Sequence, residues 1–531
     1  MIIIDFTASW IILLTALVLF VVLSLWKRIF KENVNKLLVP VSLSLISVLC
    51  IALNPMSLIL SEDSSLSNLP KEQVLSQGMS WDVSFKTSID SVKNGFLGSG
   101  LGTFHHDFAK YKPVEINNSW LWQIRFDRPG SYFAEILATM GFLGLLAYAA
   151  LIGIFLVIGG LLLRGIKDIS ETYPFQIPLL LVFLALLASQ FVYYQNTILG
   201  FIFWLVLGLS MVSWKKPVKE RVKTFNEFPE LSLIFSTIVI IFGIAILAVY
   251  FFAVKFYLAD VNYSKAIGLL GEQRVEYLTS AIKLNPYSAR YHSAISLTYL
   301  YEALQEMQKA TEEQNTAQIQ TLVAQSIEEA KTTSILQKNQ VASWENLGVV
   351  YREIILLAQG AADWGIDSFK NALKYEPTNP VLYTEIGKLY AAKGEIESAK
   401  EFFKKAKEMK SDYAEATIQM ALLLESEDIL DQAITELEEL VIGNPLNVDA
   451  RFQLGRLYFN NNQKEEAIEQ FKIVILLVPD HSNANYSLGI AYAAQNEIEL
   501  AIAQFEKVLE LNPGNQDVMQ KINDLKGEEE E

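Results

Sequence analysis

Cysteine occurs once in the 531 residues, as Cys50 inside an apolar run, so the chain has neither a disulfide framework nor a thiolate metal site. Charge is also sparse: 19% of residues are charged against 51% hydrophobic, too apolar for a purely soluble protein and too polar for one that is membrane throughout. The positive sign is the scarcer, with 43 Lys and Arg against 59 Asp and Glu, and the part after Ala259, with 43 acidic against 24 basic residues, accounts for the net charge of −16. Acidity of that kind repels a phosphate backbone and argues against a nucleic-acid partner. Histidine occurs only four times, and the one adjacent pair, His105 and His106, makes a poor metal site by itself. No metal and no cofactor are expected.

What the chain has in quantity is long apolar runs. Six stretches, roughly 8–26, 38–60, 133–163, 175–193, 197–213 and 231–257, approach the twenty or so apolar residues a spanning helix needs. The first carries Asp5 rather than a basic cluster and has no small-residue cleavage site, so it reads as an anchor and not a signal peptide. The third is long enough to tilt, and the fourth and fifth should form a tight hairpin. The spans lack ionisable residues at their centres, which is poor support for a transporter. Lys and Arg crowd the connections 27–36, 164–174 and 214–223. The positive-inside rule puts these in the cytoplasm, and the N-terminus, the loop 61–132 and everything after the sixth span outside. The expectation is a multi-pass protein of the bacterial cytoplasmic membrane with an extracytoplasmic C-terminal half.

That half is periodic. Pro377, Ser411, Pro445, Pro479 and Pro513 stand 34 residues apart, each closing a helical pattern with shared landmarks: Ile386, Gly387 and Tyr390 then Ala399, Phe403 and Ala406; Leu454, Gly455 and Tyr458 then Ala467 and Phe471; Leu488, Gly489 and Tyr492 then Ala501 and Phe505. This is the tetratricopeptide pattern. Gly and Ala lie where the two helices of a repeat approach most closely, and proline ends the second helix because it has no amide hydrogen and clashes backwards. Earlier copies are looser: Trp344, Leu347, Gly348 and Tyr351 are followed by about five extra residues, and the copy after Pro286 carries an insertion of about 18. The fold class is therefore all-α, a polytopic transmembrane helix bundle followed by a tetratricopeptide α-solenoid. Its divisions are two transmembrane helices in 1–60, an outer loop with an amphipathic helix in 61–132, four transmembrane helices in 133–257, the array in 258–515, and a capping helix with an acidic tail in 516–531. Such an array presents a concave groove whose usual use is binding a protein partner.

Any chemistry belongs to the outer loop. SWDVSFKTSIDSVKNG reads as an amphipathic helix with Trp81, Phe85, Ile89 and Val92 on one face and Asn94–Gly95 as its stop, suited to lie on the membrane surface or against the bundle. FLGSGLGTFHHDFAKY follows, with Gly98, Gly100 and Gly102 allowing close backbone approach but no strand or lysine of a phosphate loop. Arg125 and Arg128 stand at the membrane rim just before the third span, on one side if the segment is helical. Guanidinium groups there either stabilise a developing diphosphate charge or anchor the helix end at anionic headgroups. Asn117, Asn118 and Trp120 are candidates to hold sugar hydroxyls and a ring face, and His105 and His106 to lie beside them; packing is the alternative for all five.

The order of these segments, a tryptophan-bearing amphipathic helix, FLGSGLGTF, YKP, an aromatic and arginine segment, then EILATMGFLGLLAY entering the membrane, resembles the O-antigen ligase and O-antigen polymerase family over about 80–240. The resemblance implies a glycosyltransferase that moves glycan from an undecaprenyl-diphosphate carrier to an acceptor hydroxyl outside the cytoplasmic membrane, without metal or nucleotide. Two departures matter. Gly130–Ser131 stand where the family has His-Asn, and the spans expected ahead of the outer loop are missing. The alternative expectation is a catalytically reduced or truncated member, a membrane-anchored tetratricopeptide scaffold for envelope assembly.

Overall fold

The computed structural model describes residues 7–26, 30, 33–53, 73–165, 176–214, 229–309 and 315–528. The basic connections lie mostly outside these residues, as do 54–60, the polar linker that opens the outer loop and the last three residues of the acidic tail. All regular structure among the described residues is helical. The chain divides into two compact units, one of residues 1–112 and 124–245 and one of residues 113–123 and 246–531.

In the first unit, α1 (Thr7–Trp26) packs on α2 (Leu38–Leu53). The outer loop forms α3 (Gln77–Ile89), α4 (Val92–Leu97) and α5 (Phe104–Tyr111). After it come α6 (Tyr132–Gly165), α7 (Gln176–Val192) and α8 (Thr197–Trp214), the last two joined by four residues as the expected hairpin. The bundle core is aromatic: Phe155 and Phe183 approach to 4.2 Å between ring centroids, and Phe183 and Phe203 to 5.3 Å. Serines inside the apolar helices return their hydroxyls to the preceding turn, Ser47 to the Leu43 carbonyl and Ser210 to that of Val206, which satisfies them without water. Among the described residues, four helical stretches are long and apolar enough to cross a membrane, Ala8–Trp26, Val34–Ala52, Tyr132–Leu161 and Ser232–Ile267, and α7 and α8 are apolar but shorter. The fourth belongs to α9 (Pro229–Ile267), whose apolar side chains are exposed on every side from Leu233 to Leu247. That is the surface of a helix meant for lipid, not water.

The second unit is the array. The end of α9 supplies its first helix: Ala259 packs with Ala281 and Tyr291, and Ala266 with Leu278 and Ile295, from α10 (Gly271–Leu284) and α11 (Ala289–Met307). Then follow α12 (Thr316–Leu336), α13 (Val341–Glu353), α14 (Ala361–Tyr375), α15 (Pro380–Ala392), α16 (Ile396–Met409), α17 (Ala414–Ser426), α18 (Leu430–Gly443), α19 (Val448–Asn460), α20 (Lys464–Leu477), α21 (Ser482–Ala494) and α22 (Ile498–Leu511). The closing helix, α23 (Gln516–Glu528), inserts Val518 and Ile522 into the core.

Three series repeat every 34 residues and hold the pairs together. The conserved spacing places a glycine against a phenylalanine ring: a methyl on Gly387 would lie 2.5 Å from a Phe403 ring carbon, on Gly455 2.7 Å from Phe471, and on Gly489 2.8 Å from Phe505. Between these, Ala421 and Leu437 occupy the same two positions, a larger residue on one helix with a smaller one on the other. The turn between the helices of each pair needs one left-handed residue, filled by Gly394 (φ 77°), Asp428 (64°), Asn462 (61°) and Asn496 (64°). At the start of three of these pairs a side chain caps the helix: Asn379 accepts from the Val381 amide, Asn447 from that of Ala450, and His481, through Nδ1, from that of Ala484.

Candidate functional site

The outer loop is organised by a break in α6. Gly141 adopts φ 67° and ψ −169°, interrupting the hydrogen-bond ladder and freeing the carbonyls of the preceding turn. The loop covers them: Ser88 Oγ donates to the Leu137 carbonyl at 3.2 Å, the Ser99 amide to that of Ala138 at 2.9 Å, and the Gly100 amide to that of Thr139 at 3.0 Å. This accounts for Gly98 of FLGSGLG. A methyl on Gly98 would fall 2.2 Å from the Thr139 carbonyl carbon. The motif clamps a membrane helix at its break.

The amphipathic helix differs from its sequence reading. It ends at Ile89, Ser91 caps a second helix by accepting from the Asn94 amide, and Asn94–Gly95 fall inside that helix. The polar break Asp90–Ser91 stops it first. Its buried face is Ser80, Val83, Ser84, Thr87 and Ser88, packed toward α6. Phe85, Ile89 and Val92 are 53%, 62% and 80% exposed, an apolar face left uncovered.

Arg125 and Arg128 lie in a non-helical stretch, so a spacing of three does not align them. Arg125 is exposed. Arg128 is gripped by its neighbour, Nε and Nη2 donating to the two Asp127 carboxylate oxygens at 3.2 and 3.0 Å, and its guanidinium lies 4.7 Å from the Tyr194 ring centroid. The Asp127 hydrogen bonds hold it more firmly charged. Arg128, Asp127, Phe126, Tyr194 and residues 73–75 line a cavity of about 220 Å³. Tyr194 and Asp127 are the residues the sequence reading missed; Tyr194 comes from the α7–α8 turn, which no local pattern links to position 128.

Gly130 is closed in. Its amide donates to Ser80 Oγ at 2.8 Å, its carbonyl accepts from Gln77 Nε2 at 2.6 Å, and a methyl on it would lie 2.2 Å from the Leu75 carbonyl oxygen. Ser131 donates to the Gln190 carbonyl. The space a histidine would need at this position is filled by main chain.

His105 and His106 stack on each other at 3.8 Å. Burial, with the neighbouring His105 charge, pushes His106 down to about 4. Beside them Asp107 is buried and pushed up to about 7 by that burial, against the opposing hydrogen bond from Ser99 Oγ at 2.6 Å. No group of three or more potential metal ligands occurs among the described residues.

Asn117, Asn118 and Trp120 fall in the segment 113–123, which folds with the array. Asn118 is exposed and Trp120 is 68% exposed. Asn117 is fully buried, and its side-chain amide donates to the Thr378 and Met409 carbonyls at 2.7 and 3.1 Å. That amide is already committed to protein. Seven candidate residues thus separate, four into the first unit and three into the second.

In the array itself a cleft of about 880 Å³ lies along α16 and α18. Its lining is charged with both signs, and two of its cations are paired, Lys400 with Glu397 and Glu427, and Lys407 with Glu436. His292, buried, is held by the Glu329 carboxylate on Nδ1 and the Pro286 carbonyl on Nε2.

Family models for the tetratricopeptide repeat match residues 356–422, 422–475 and 452–516. The C-terminal region is a tetratricopeptide repeat array. Solved structures similar to part of the chain include YrrB, described as a tetratricopeptide repeat protein with an unusual peptide-binding site (21% identity over 37% of this chain and 98% of that one, TM-score 0.29). They also include MamA from Desulfovibrio magneticus (23% identity, 32% and 96% covered, TM-score 0.27) and a tetratricopeptide repeat protein from Parabacteroides merdae (15%, 50% and 98%, TM-score 0.37). A comparison with curated proteins finds no match.

Proposed function

We propose that the protein is a membrane-anchored tetratricopeptide scaffold, which holds its array on the outer face of the cytoplasmic membrane to receive a protein partner of the cell envelope. The repeat array carries this reading, since stacked helix pairs of this kind present an extended surface of the sort such repeats use to bind a protein. The apolar helices supply the anchor, and the basic connections of the sequence supply the orientation. The closure around Gly130 supports it too, because the position of the family's histidine is taken up by the Leu75 carbonyl.

Glycan transfer from an undecaprenyl-diphosphate carrier is the second reading, favoured by one observation: a guanidinium, partly exposed, lines a cavity with Phe126 and Tyr194 just ahead of a membrane helix. A diphosphate would have to take Arg128 from Asp127, and Arg125 would be its second cation. The two readings part in reconstituted membranes given an undecaprenyl-diphosphate glycan. The scaffold reading expects no transfer by the parent protein. Transfer by the parent that is lost in Arg128→Lys, with insertion unchanged, would overturn it, because lysine keeps the charge but not the two-pronged fit. A reporter fused after residue 528 should be active outside the cytoplasm.

A further inference from the structure

One turn of the array departs from its own repeat. At the positions that elsewhere carry Pro377, Pro445, Pro479 and Pro513 this turn has Ser411, and where Asn379, Asn447 and His481 cap the next helix it has Tyr413, which makes no cap. The turn gives up a rigid residue and a hydrogen bond that its neighbours keep. Segment 113–123 lies against it. The Asn117 side-chain amide donates to Met409 and Thr378, carbonyls of two successive turns, and Lys410 Nζ donates back to the Asn117 carbonyl at 2.8 Å while Asp412 holds the same ammonium. The Lys410 ammonium also lies 5.5 Å from the Trp122 ring centroid, and the Trp122 and Tyr413 rings meet edge to face at 5.6 Å.

Lys410 and Tyr413 therefore both meet the segment. Lys410, only 8% exposed, stands where the other repeats carry Glu376, Asn444, Val478 and Asn512, so this turn alone of the five brings an ammonium to the position. Tyr413 exchanges a cap for a ring contact. Two carbonyls aimed at one side chain require two N–H donors there, and an aspartate or a hydroxyl cannot supply them, so the site reads an amide. Asn117 Oδ1 is buried with no hydrogen-bond partner among the described residues, which leaves the occupant short of a full set of bonds and hence replaceable.

We propose that the turn Met409–Tyr413, together with Thr378, is a peptide site specific for an asparagine with a tryptophan five residues on, and that the chain occupies it with its own segment 113–123. The site lies at the turns between repeats, beside the charged cleft along α16 and α18, which Ser411 also lines, and it does not depend on the scaffold reading.

The test uses the full chain in detergent, with amide hydrogen exchange followed over 113–123 and over 380–511. Tyr413→Asn restores the repeat's capping residue, and Lys410→Met removes the ammonium while keeping the stem. Both should speed exchange in 113–123 at least about tenfold, the equivalent of roughly 1.4 kcal/mol, and leave 380–511 as slow as before. Asn117→Leu, close to asparagine in shape but without donors, should release the segment likewise. A labelled peptide of residues 113–123 should then bind the Asn117→Leu protein saturably and the parent not at all, and a peptide carrying leucine for the asparagine should bind neither. Unchanged exchange in all three variants overturns the proposal. So does faster exchange throughout 380–511, which would reduce the turn to a structural element, and so does a released segment with no peptide binding.

Discussion

The clearest quantitative test lies at the seam of one repeat, between Gly455 and Phe471. A methyl on Gly455 would stand 2.7, 2.9 and 3.2 Å from three ring carbons of Phe471, where ordinary carbon contacts are about 3.5–4.0 Å. The ring would have to retreat by nearly 1 Å, and it is 1% exposed with Ala467 fully buried beside it. Overpacking of this kind costs about 1–3 kcal/mol. Replacing a glycine inside a helix returns about 0.5–1 kcal/mol, so Gly455→Ala should destabilise by about 0.5–2 kcal/mol. Phe471→Leu alone should cost about 1–2 kcal/mol for lost apolar contact. The double variant reproduces what Ala421 and Leu437 do one repeat earlier, and there the methyl has room. It should be no less stable than Phe471→Leu, a favourable coupling of about 1–2 kcal/mol. Urea denaturation of the array as residues 258–528, followed by helical circular dichroism, gives the four midpoints. Additivity within about 0.3 kcal/mol would refute the steric account of the glycine series.

At the left-handed turns, Asp428→Gly, Asn462→Gly and Asn496→Gly should each raise array stability by roughly 0.5 kcal/mol and Gly394→Ala lower it by about 1 kcal/mol, measured as shifts in melting temperature. Gly98→Ala should drive the outer loop off the break in α6, seen as rapid proteolysis within 96–103 in detergent, whereas Gly78→Ala, with no atom within 4 Å of the added methyl, should leave the pattern unchanged. Hydrogen bonding to Glu329, outweighing desolvation, raises His292 above its usual value, so the folded array binds the proton more tightly than the unfolded chain. That contribution is complete below the unfolded pKa of about 6.5 and is lost as pH rises through the folded value. Melting temperature should therefore fall with pH above about 6.5 in the parent and fall less in His292→Gln.

The array was legible because its determinants are local and repeated: a glycine, an alanine and a phenylalanine at fixed offsets report a helix contact that recurs. The apolar helices were legible for the same reason, one composition sustained over a whole element. The rest depends on partners far away in sequence. Asn94–Gly95 read as a helix stop, but Asp90 and Ser91 end the helix earlier and Ser91 starts another. Gly141 read as one glycine among several in a span, and only the loop amides that answer its freed carbonyls show it to be a break. Asn117 reads as either a sugar ligand or a packing residue, and nothing local names its partners Thr378 and Met409, 261 and 292 residues away. One signal was present, Ser411 standing in a row of prolines, and it marks the turn that accepts the segment.

That separation also sets a clock. Lys410 follows its acceptor Asn117 by 293 residues, and at about 5–20 residues per second of synthesis the receptor turn is finished about 15–60 s after the segment has been made. A hairpin closes in microseconds, so every local element of the outer loop has settled long before its eleven-residue ligand can find a seat. During that interval Asn117 has been made, but the Thr378 and Met409 carbonyls that receive its amide have not. Which ligand holds the turn in a newborn molecule is thus decided first by order of arrival, and by affinity only afterwards.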